Sequence, residues 1–88
     1  MKNFKIIVKG KVQGVWYRVN TQKKAEELGL NGFVRNENDG SVYIEVSGEE
    51  GKMGELIIWL TDGPELAEVQ SVNISNGDFY YNEGFNIN

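Results

Sequence analysis

The chain of 88 residues contains no cysteine and no histidine. The lack of cysteine excludes disulfides, thiolate nucleophiles and zinc–thiolate sites. The lack of histidine removes the usual general base of serine and cysteine hydrolases, and with it the commonest metal ligand. Any catalysis must therefore use arginine, lysine, asparagine, carboxylates and backbone amides, a set of groups that suits electrostatic stabilisation of an anion.

The chain also lacks a long apolar run, since no stretch approaches the ~18 residues of a membrane span. Its first residues lead directly into an alternating strand pattern, without the charged, apolar and small-residue regions of a secretory leader. We therefore expect a cytoplasmic protein with no membrane partner. The length suits one domain and is too short for two, so a single domain is predicted over residues 1–88.

The net charge of −4 argues against a nucleic-acid partner, because nucleic-acid-binding domains normally carry a basic face. Positive charge is nevertheless concentrated near the start of the chain, in a segment without carboxylates that contains Lys2, Lys5, Lys9, Lys11 and Arg18. Such a cluster attracts a small anion even in an acidic protein. The competing interpretation is that these lysines simply solvate the edge of a strand.

Hydrophobic periodicity predicts the order of the helices and strands. Apolar residues alternate with lysines over residues 4–12, which indicates a strand with one buried side. Helical spacing follows at Tyr17, Thr21, Ala25 and Leu28, and a glycine directly after them would end the helix. A short second strand over residues 32–36 precedes a strong turn signal.

The remainder of the chain continues this pattern. The turn Asn38-Asp39-Gly40 leads into a returning strand over residues 42–46, and a second amphipathic helix follows over residues 53–60. A change of phase within residues 69–74 indicates a strand with a bulge, and the last short segment ends in Phe85 and Ile87. The order β-α-β-β-α-β, with a possible short fifth strand, predicts an α+β ferredoxin-like sandwich with a mostly antiparallel sheet and both helices on one face.

The loop between the first strand and the first helix has the composition of an anion-binding site. Glycine lets the backbone turn its N–H groups inward, the helix adds its free first-turn amides, and Arg18 can grip two phosphate oxygens. This is not a Walker A loop, because three residues rather than four separate Gly10 from Gly14 and no Lys-Ser/Thr follows. The spacing alone leaves open an ordinary turn with a surface arginine.

Two longer motifs favour the anion-binding loop over the ordinary turn. Residues 10–18, GKVQGVWYR, and the segment from Gly32 through Asn36 to Val42, GFVRNENDGSV, resemble the two signatures of the acylphosphatase family at the expected separation. The similarity extends over nearly the whole chain, although the part after residue 65 matches in hydrophobic pattern only. The resemblance implies the ferredoxin-like fold and the hydrolysis of acyl phosphates to a carboxylate and inorganic phosphate.

The resemblance also implies roles for individual residues. Arg18 would hold the phosphoryl group, and Asn36 would position the attacking water. The phosphate would be cradled by the backbone of Gln13, Gly14, Val15, Trp16, Tyr17 and Arg18. No metal or cofactor is implied, and inorganic phosphate is the expected product and competitive inhibitor of what we expect to be a monomer. The side chains of Trp16 and Tyr17 are expected to pack and anchor the loop, with Trp16 a candidate for the mouth of the site.

Strand direction supports the pairing of Arg18 with Asn36. In a split βαβ unit the first two strands are parallel, so both residues lie near strand ends at one edge of the sheet. Considered alone, Asn36 is better explained as a turn residue before Asn38-Asp39-Gly40, and the family resemblance reverses that preference. The main alternative function is a non-catalytic acylphosphatase-like module that binds phosphate or carbamoyl phosphate. An RNA-binding domain would need exposed sheet aromatics and a basic surface, which the acidic composition disfavours.

Overall fold

The computed structural model describes residues 1–88 and contains five strands and two helices. Neither helix has the length and apolar character that a membrane crossing requires. In chain order the elements are β1 (Lys2–Lys11), α1 (Tyr17–Glu27), β2 (Asn31–Asn36), β3 (Val42–Gly48), α2 (Glu50–Asp62), β4 (Glu68–Asn76) and β5 (Phe85–Ile87).

The strands form one sheet in the order β4-β1-β3-β2-β5. β1 pairs antiparallel with both β3 and β4, and β2 pairs antiparallel with β3. Because β1 and β2 are both antiparallel to β3, they run parallel to each other and end at the same edge of the sheet. β5 adds a short parallel pairing with β2, in which Gly32 lies opposite Phe85.

One face of this sheet carries the core. Ile6 and Val34 both lie opposite Ile44 on neighbouring strands, and all three are fully buried. Residues directly opposite one another project from the same face, and helices α1 and α2 both cover that face. This arrangement confirms the predicted α+β ferredoxin-like fold, with a mostly antiparallel sheet and two helices on one side.

The two helices are tied to each other as well as to the sheet. α2 buries Met53, Leu56 and Leu60, which recur at helical spacing. From the first turn of α1, the hydroxyl of Tyr17 donates a 2.6 Å hydrogen bond to the backbone carbonyl of Leu60. Tyr17 is 1% exposed, so this bond satisfies a polar group that the fold removes from water.

The expected bulge lies between β1 and β4. Lys9 pairs with Ser71 whereas Gly10 pairs with Val69, so Gln70 has no partner on β1. The expected fifth strand is also present as β5. Its Phe85 is 3% exposed, and the amide of Asn88 donates to the carbonyl of Val34 at 2.9 Å.

Candidate active site

The loop that connects β1 to α1 has an unusual backbone conformation. Gly14 has φ 72° and Trp16 has φ 63°, and Trp16 is the only non-glycine residue of the chain with a positive φ. Left-handed residues placed close to right-handed ones turn successive N–H groups toward a common centre and form an anion-binding concavity. No side chain caps the start of α1, so its first-turn N–H groups remain available to a ligand.

Hydrogen bonds hold Trp16 in this strained conformation. Its carbonyl accepts one bond from the amide of Asn20 at 3.1 Å and a second from Asn20 Nδ2 at 2.9 Å. A non-glycine residue in the left-handed region costs on the order of 1 kcal/mol or more, and such strain persists only where neighbouring contacts impose it. The conformation of the loop is therefore maintained by α1 itself.

The loop is also attached to the connection between β2 and β3. Gln13 Nε2 donates to the carbonyls of Glu37 and Ser41, both at 2.8 Å. That connection is tight, because the amide and hydroxyl of Ser41 both donate to Asp39 Oδ1, at 2.9 Å and 2.6 Å. The hydrogen bonds from Ser41 lower the pKa of Asp39. Gln13 thus fixes the distance between the anion-binding loop and the end of β2.

A cleft of about 260 Å³ opens between the loop, the start of α1 and the end of β2. Arg18 lies on one wall and Asn36 on another, so the two strand ends bring these side chains to one cavity. The full lining is Val12, Gly14, Trp16, Tyr17, Arg18, Val19, Asn36 and Ile87. The cleft combines one cation, one carboxamide and a set of backbone amides with an otherwise apolar wall.

The polar groups of Arg18 and Asn36 are not used by the fold. The guanidinium of the half-buried Arg18 forms no ion pair or hydrogen bond with another protein group. Asn36 Oδ1 is buried and has no hydrogen-bond partner. A half-turn of the carboxamide exchanges the positions of Oδ1 and Nδ2. Five guanidinium N–H donors and one carboxamide are thus left for a ligand.

The remaining predicted residues occupy different positions around this cleft. Gly14, Trp16 and Tyr17 line it, whereas Gln13 binds the β2–β3 connection and Val15 is buried at 6% exposure. The Tyr17 ring packs as expected, and burial raises the pKa of its hydroxyl. The expectation that the Trp16 ring packs is wrong, because Trp16 is 70% exposed at the mouth of the cleft.

Three residues of the wall were absent from the predicted site: Val12, Val19 and Ile87. Val12 and Val19 flank the loop motif, so proximity in sequence could have suggested them. No local signal points to Ile87, because it reaches the cleft only through the pairing of β5 with β2. Within residues 1–88, no group of three or more carboxylates lies close enough together to hold a metal ion.

Comparison with known proteins identifies the family. The family model described as Acylphosphatase matches residues 4–87. An acylphosphatase of Thiobacillus denitrificans is 41% identical over 81 residues, which are 92% of this chain and 91% of the relative. The structure of an acylphosphatase from Coxiella burnetii superimposes with a TM-score of 0.94 at 37% identity, covering 99% of this chain and 92% of that one.

A larger protein contains a similar unit. The crystal structure of full-length HypF in the phosphate- and nucleotide-bound form matches with a TM-score of 0.86 at 26% identity. The match covers 98% of this chain and 11% of HypF. The matches to the Thiobacillus and Coxiella proteins cover most of both chains in each pair, and the family model extends over almost every residue of β1 through β5. The chain therefore belongs to the acylphosphatase family.

Proposed function

We propose that this protein hydrolyses acyl phosphates to a carboxylate and inorganic phosphate, with Arg18 and the loop amides binding the phosphoryl group and Asn36 placing the attacking water. The observation that supports this most directly is the shared cleft. It combines an unpaired guanidinium, the free amides of a helix start and an unpartnered carboxamide. These are the groups that transfer of a phosphoryl anion to water requires.

The chemistry suits a site without histidine. Water forms a bond to phosphorus while the bond from phosphorus to the acyl oxygen breaks, and the carboxylate leaves with the electron pair. A carboxylate is a good leaving group, so the reaction needs little general-acid help. One proton of the water passes to a phosphate oxygen, and the products are the carboxylate and dihydrogen phosphate. The protein supplies mainly position and positive charge.

The role of Asn36 depends on which end of its carboxamide faces the water. A water that attacks phosphorus must direct a lone pair at it, so the side chain should accept one of the water's protons through Oδ1. In the structure Oδ1 is turned away from solvent and is unpartnered. The proposal therefore assigns the flipped carboxamide to the reactive state, with Oδ1 in the cleft.

Substitution of the two polar residues tests the proposal. Arg18→Ala should lower kcat/KM for benzoyl phosphate by roughly 10³-fold or more, because a charged donor to the transferring phosphoryl group is lost. Asn36→Ala should lower kcat by roughly 10²-fold or more with a smaller change in KM, because the water is no longer positioned. Both variants should retain the circular dichroism spectrum of the wild type.

Matched controls are available nearby. Arg35, the other arginine, lies outside the cleft, and Asn38 lies in the exposed turn after β2. Arg35→Ala and Asn38→Ala should keep activity within a fewfold of the wild type. Full activity in folded Arg18→Ala or Asn36→Ala would remove that residue from the mechanism.

The proposal extends to the properties of the enzyme in solution. Activity should persist in EDTA, since no step uses a metal, and inorganic phosphate should inhibit competitively by occupying the loop. We further propose a monomer that acts in the cytoplasm. Inhibition kinetics, light scattering after gel filtration and cell fractionation measure these properties separately.

The alternative is a module that binds phosphate or carbamoyl phosphate without hydrolysing acyl phosphates. The similarity to a segment of HypF, which was solved with phosphate and nucleotide bound, favours it. The same assays separate the two functions. Phosphate binding that depends on Arg18, together with no turnover of benzoyl phosphate or acetyl phosphate, would support the binding module over the enzyme.

A further inference from the structure

Asn20 is a polar residue of α1 that no step of the proposed reaction uses. Its side-chain Nδ2 donates a 2.9 Å hydrogen bond to the carbonyl oxygen of Trp16, one helical turn earlier. Its backbone N–H donates to the same oxygen at 3.1 Å. Asn20 does not line the cleft, so any contribution that it makes to the site must pass through the backbone of Trp16.

These two hydrogen bonds fix the direction of a free N–H group at the cleft. The carbonyl of Trp16 and the N–H of Tyr17 belong to one planar trans peptide, in which the two groups point in opposite directions. The bonds from Asn20 hold the carbonyl toward the body of α1, so the N–H of Tyr17 points out of the N-terminal end of the helix. That N–H has no acceptor in the protein, and Tyr17 lines the cleft.

The side-chain bond from Asn20 is not required by the helix. A regular α-helix satisfies the Trp16 carbonyl with the backbone N–H of Asn20 alone, and a side-chain bond to the carbonyl four residues earlier does not strengthen a helix. Trp16 has a left-handed φ of 63°, which is unfavourable for a residue with a Cβ. Relief of this strain would turn the backbone of Trp16, and the second bond resists rotation of the peptide that follows it.

We infer that Asn20 is a positioning residue, whose side chain holds the Trp16–Tyr17 peptide so that the N–H of Tyr17 is presented to the phosphoryl group. This inference rests on the proposed function, because it places the phosphoryl group at the start of α1. An N–H that already points at the anion needs no reorganisation when charge develops during the transfer. The effect is severalfold rather than complete, because the backbone bond from Asn20 remains when the side-chain bond is lost.

Titration of the full chain with inorganic phosphate, followed by two-dimensional NMR of the backbone amides, tests this role. Asn20→Ala removes the side-chain donor and should weaken phosphate binding about threefold to tenfold, the size of effect expected for one hydrogen bond. The shift that saturating phosphate induces at the Tyr17 amide should shrink. Asn20→Ser should keep the affinity within about twofold, because a hydroxyl can donate to the carbonyl four residues earlier. Thr21 makes such a bond to the Tyr17 carbonyl at 2.7 Å.

The matched control is Thr61, whose hydroxyl donates to the carbonyl of Ile57 at 2.9 Å within α2 and outside the cleft. Thr61→Ala removes a bond of the same type and should leave phosphate binding unchanged. Wild-type phosphate affinity in folded Asn20→Ala would overturn the positioning role. Equal weakening in Asn20→Ala and Asn20→Ser would also overturn it, because the donor would then not be what matters. The same holds if affinity falls while the phosphate-induced shift of the Tyr17 amide stays at its wild-type size.

Turnover of benzoyl phosphate is measured in parallel, and kcat/KM should fall in Asn20→Ala by about the same factor as the phosphate affinity. Hydrolysis by the wild type together with equal phosphate binding in Asn20→Ala would sink the positioning role and leave the proposed function intact. Phosphate binding that weakens in Asn20→Ala and recovers in Asn20→Ser, without hydrolysis by the wild type, would sink the proposed function and support the role of Asn20 in an anion-binding loop. Absence of phosphate binding by the wild type would overturn both.

Discussion

Gln13 shows how a residue at the edge of the loop can position the groups inside the cleft. Its single amide nitrogen reaches the carbonyls of Glu37 and Ser41, which belong to the connection that follows Asn36. Both carbonyls also accept a backbone hydrogen bond, from Gly40 and Glu37 respectively. The side chain therefore mainly sets the spacing between two segments that are each locally ordered.

Replacement of Gln13 should affect both stability and activity. Gln13→Ala removes two hydrogen bonds and should lower the free energy of unfolding by about 1–2 kcal/mol. It should also lower kcat/KM by roughly tenfold, because the loop and Asn36 lose their fixed separation. Gln13→Glu should be worse, since a carboxylate would face two carbonyl oxygens without a donor. Urea denaturation and benzoyl phosphate kinetics measure both effects.

The control for Gln13 is Gln70, an exposed residue in the bulge of β4 whose side chain makes no hydrogen bond within the protein. Gln70→Ala should change neither quantity appreciably. If Gln13→Ala lost stability and kept full kcat/KM, its hydrogen bonds would serve only the fold, and the positioning role would be wrong.

At the level of single residues, the sequence predicts the polar groups of the cleft better than its walls. Asn36 ends β2 and Arg18 lies in the first turn of α1, the helix that follows β1, and the parallel direction of β1 and β2 places both at one edge. The exposure of Trp16 depends on its left-handed backbone conformation, and the identity of the residue does not predict that conformation. Ile87 reaches the cleft only after β5 has paired with β2.

At the level of elements, local periodicity is enough to predict the helices and strands in order, because burial of one face repeats every two or 3.6 residues. The phase change in β4 even indicates its bulge. The order of the strands within the sheet is harder to predict from the sequence, since strand pairing joins residues that are far apart in the chain. The docking of β5 is an example, because it depends on Gly32 and Phe85 lying opposite each other.

The bulge between β1 and β4 allows a test of how closely these two strands approach each other. Gly10 has φ 131°, and a Cβ at this position would collide with the carbonyl oxygen of Glu68 on β4. Gly10→Ala should therefore destabilise the fold by several kcal/mol, because both its backbone angle and its close neighbour exclude a side chain. Thermal and urea unfolding followed by circular dichroism measure the loss.

A second glycine gives the opposite expectation. Gly54 lies within α2, and a Cβ there would meet no atom within 4 Å. Gly54→Ala should stabilise the protein by about 0.5–1 kcal/mol, because alanine restricts the unfolded chain and favours the helix. Similar stability changes in Gly10→Ala and Gly54→Ala would mean that β1 and β4 do not approach as closely as the structure has them.

At the scale of the whole molecule, the sheet face without helices carries an aromatic cluster formed by β2, β3 and the segment that follows β4. The ring of Phe33 packs against Tyr43 and Tyr81 with centroids 6.0 Å apart in both pairs. The hydroxyls of these two tyrosines donate to opposite oxygens of Glu45, both at 2.6 Å. Arg35 lies over the Tyr43 ring at 4.8 Å, so a carboxylate and a cation both support the cluster.

This cluster makes stability sensitive to alkaline pH. Burial, and then the hydrogen bond to Glu45, raise the pKa of Tyr43 to about 12. The hydrogen bond to Glu45, and then burial, raise the pKa of Tyr81 as well. In the unfolded chain tyrosines ionise near pH 10, so above that pH the unfolded state holds fewer protons than the folded one. The contribution to stability is complete below about pH 10 and is lost as the pH rises to about 12.

Urea denaturation between pH 8 and pH 12 should therefore show a free energy of unfolding that falls steeply above about pH 10. Tyr43→Phe should flatten this fall, because one group with a raised pKa is removed. Glu45→Gln should also flatten it, because the charged acceptor shared by both tyrosines is replaced by a neutral one.

Tyr80, which is 57% exposed and outside the cluster, is the matched control, and Tyr80→Phe should leave the pH dependence unchanged. An equally steep fall in all three variants would show that the cluster around Glu45 does not govern alkaline unfolding. The buried hydroxyl of Tyr17, whose pKa is also raised by burial, would then be the group responsible.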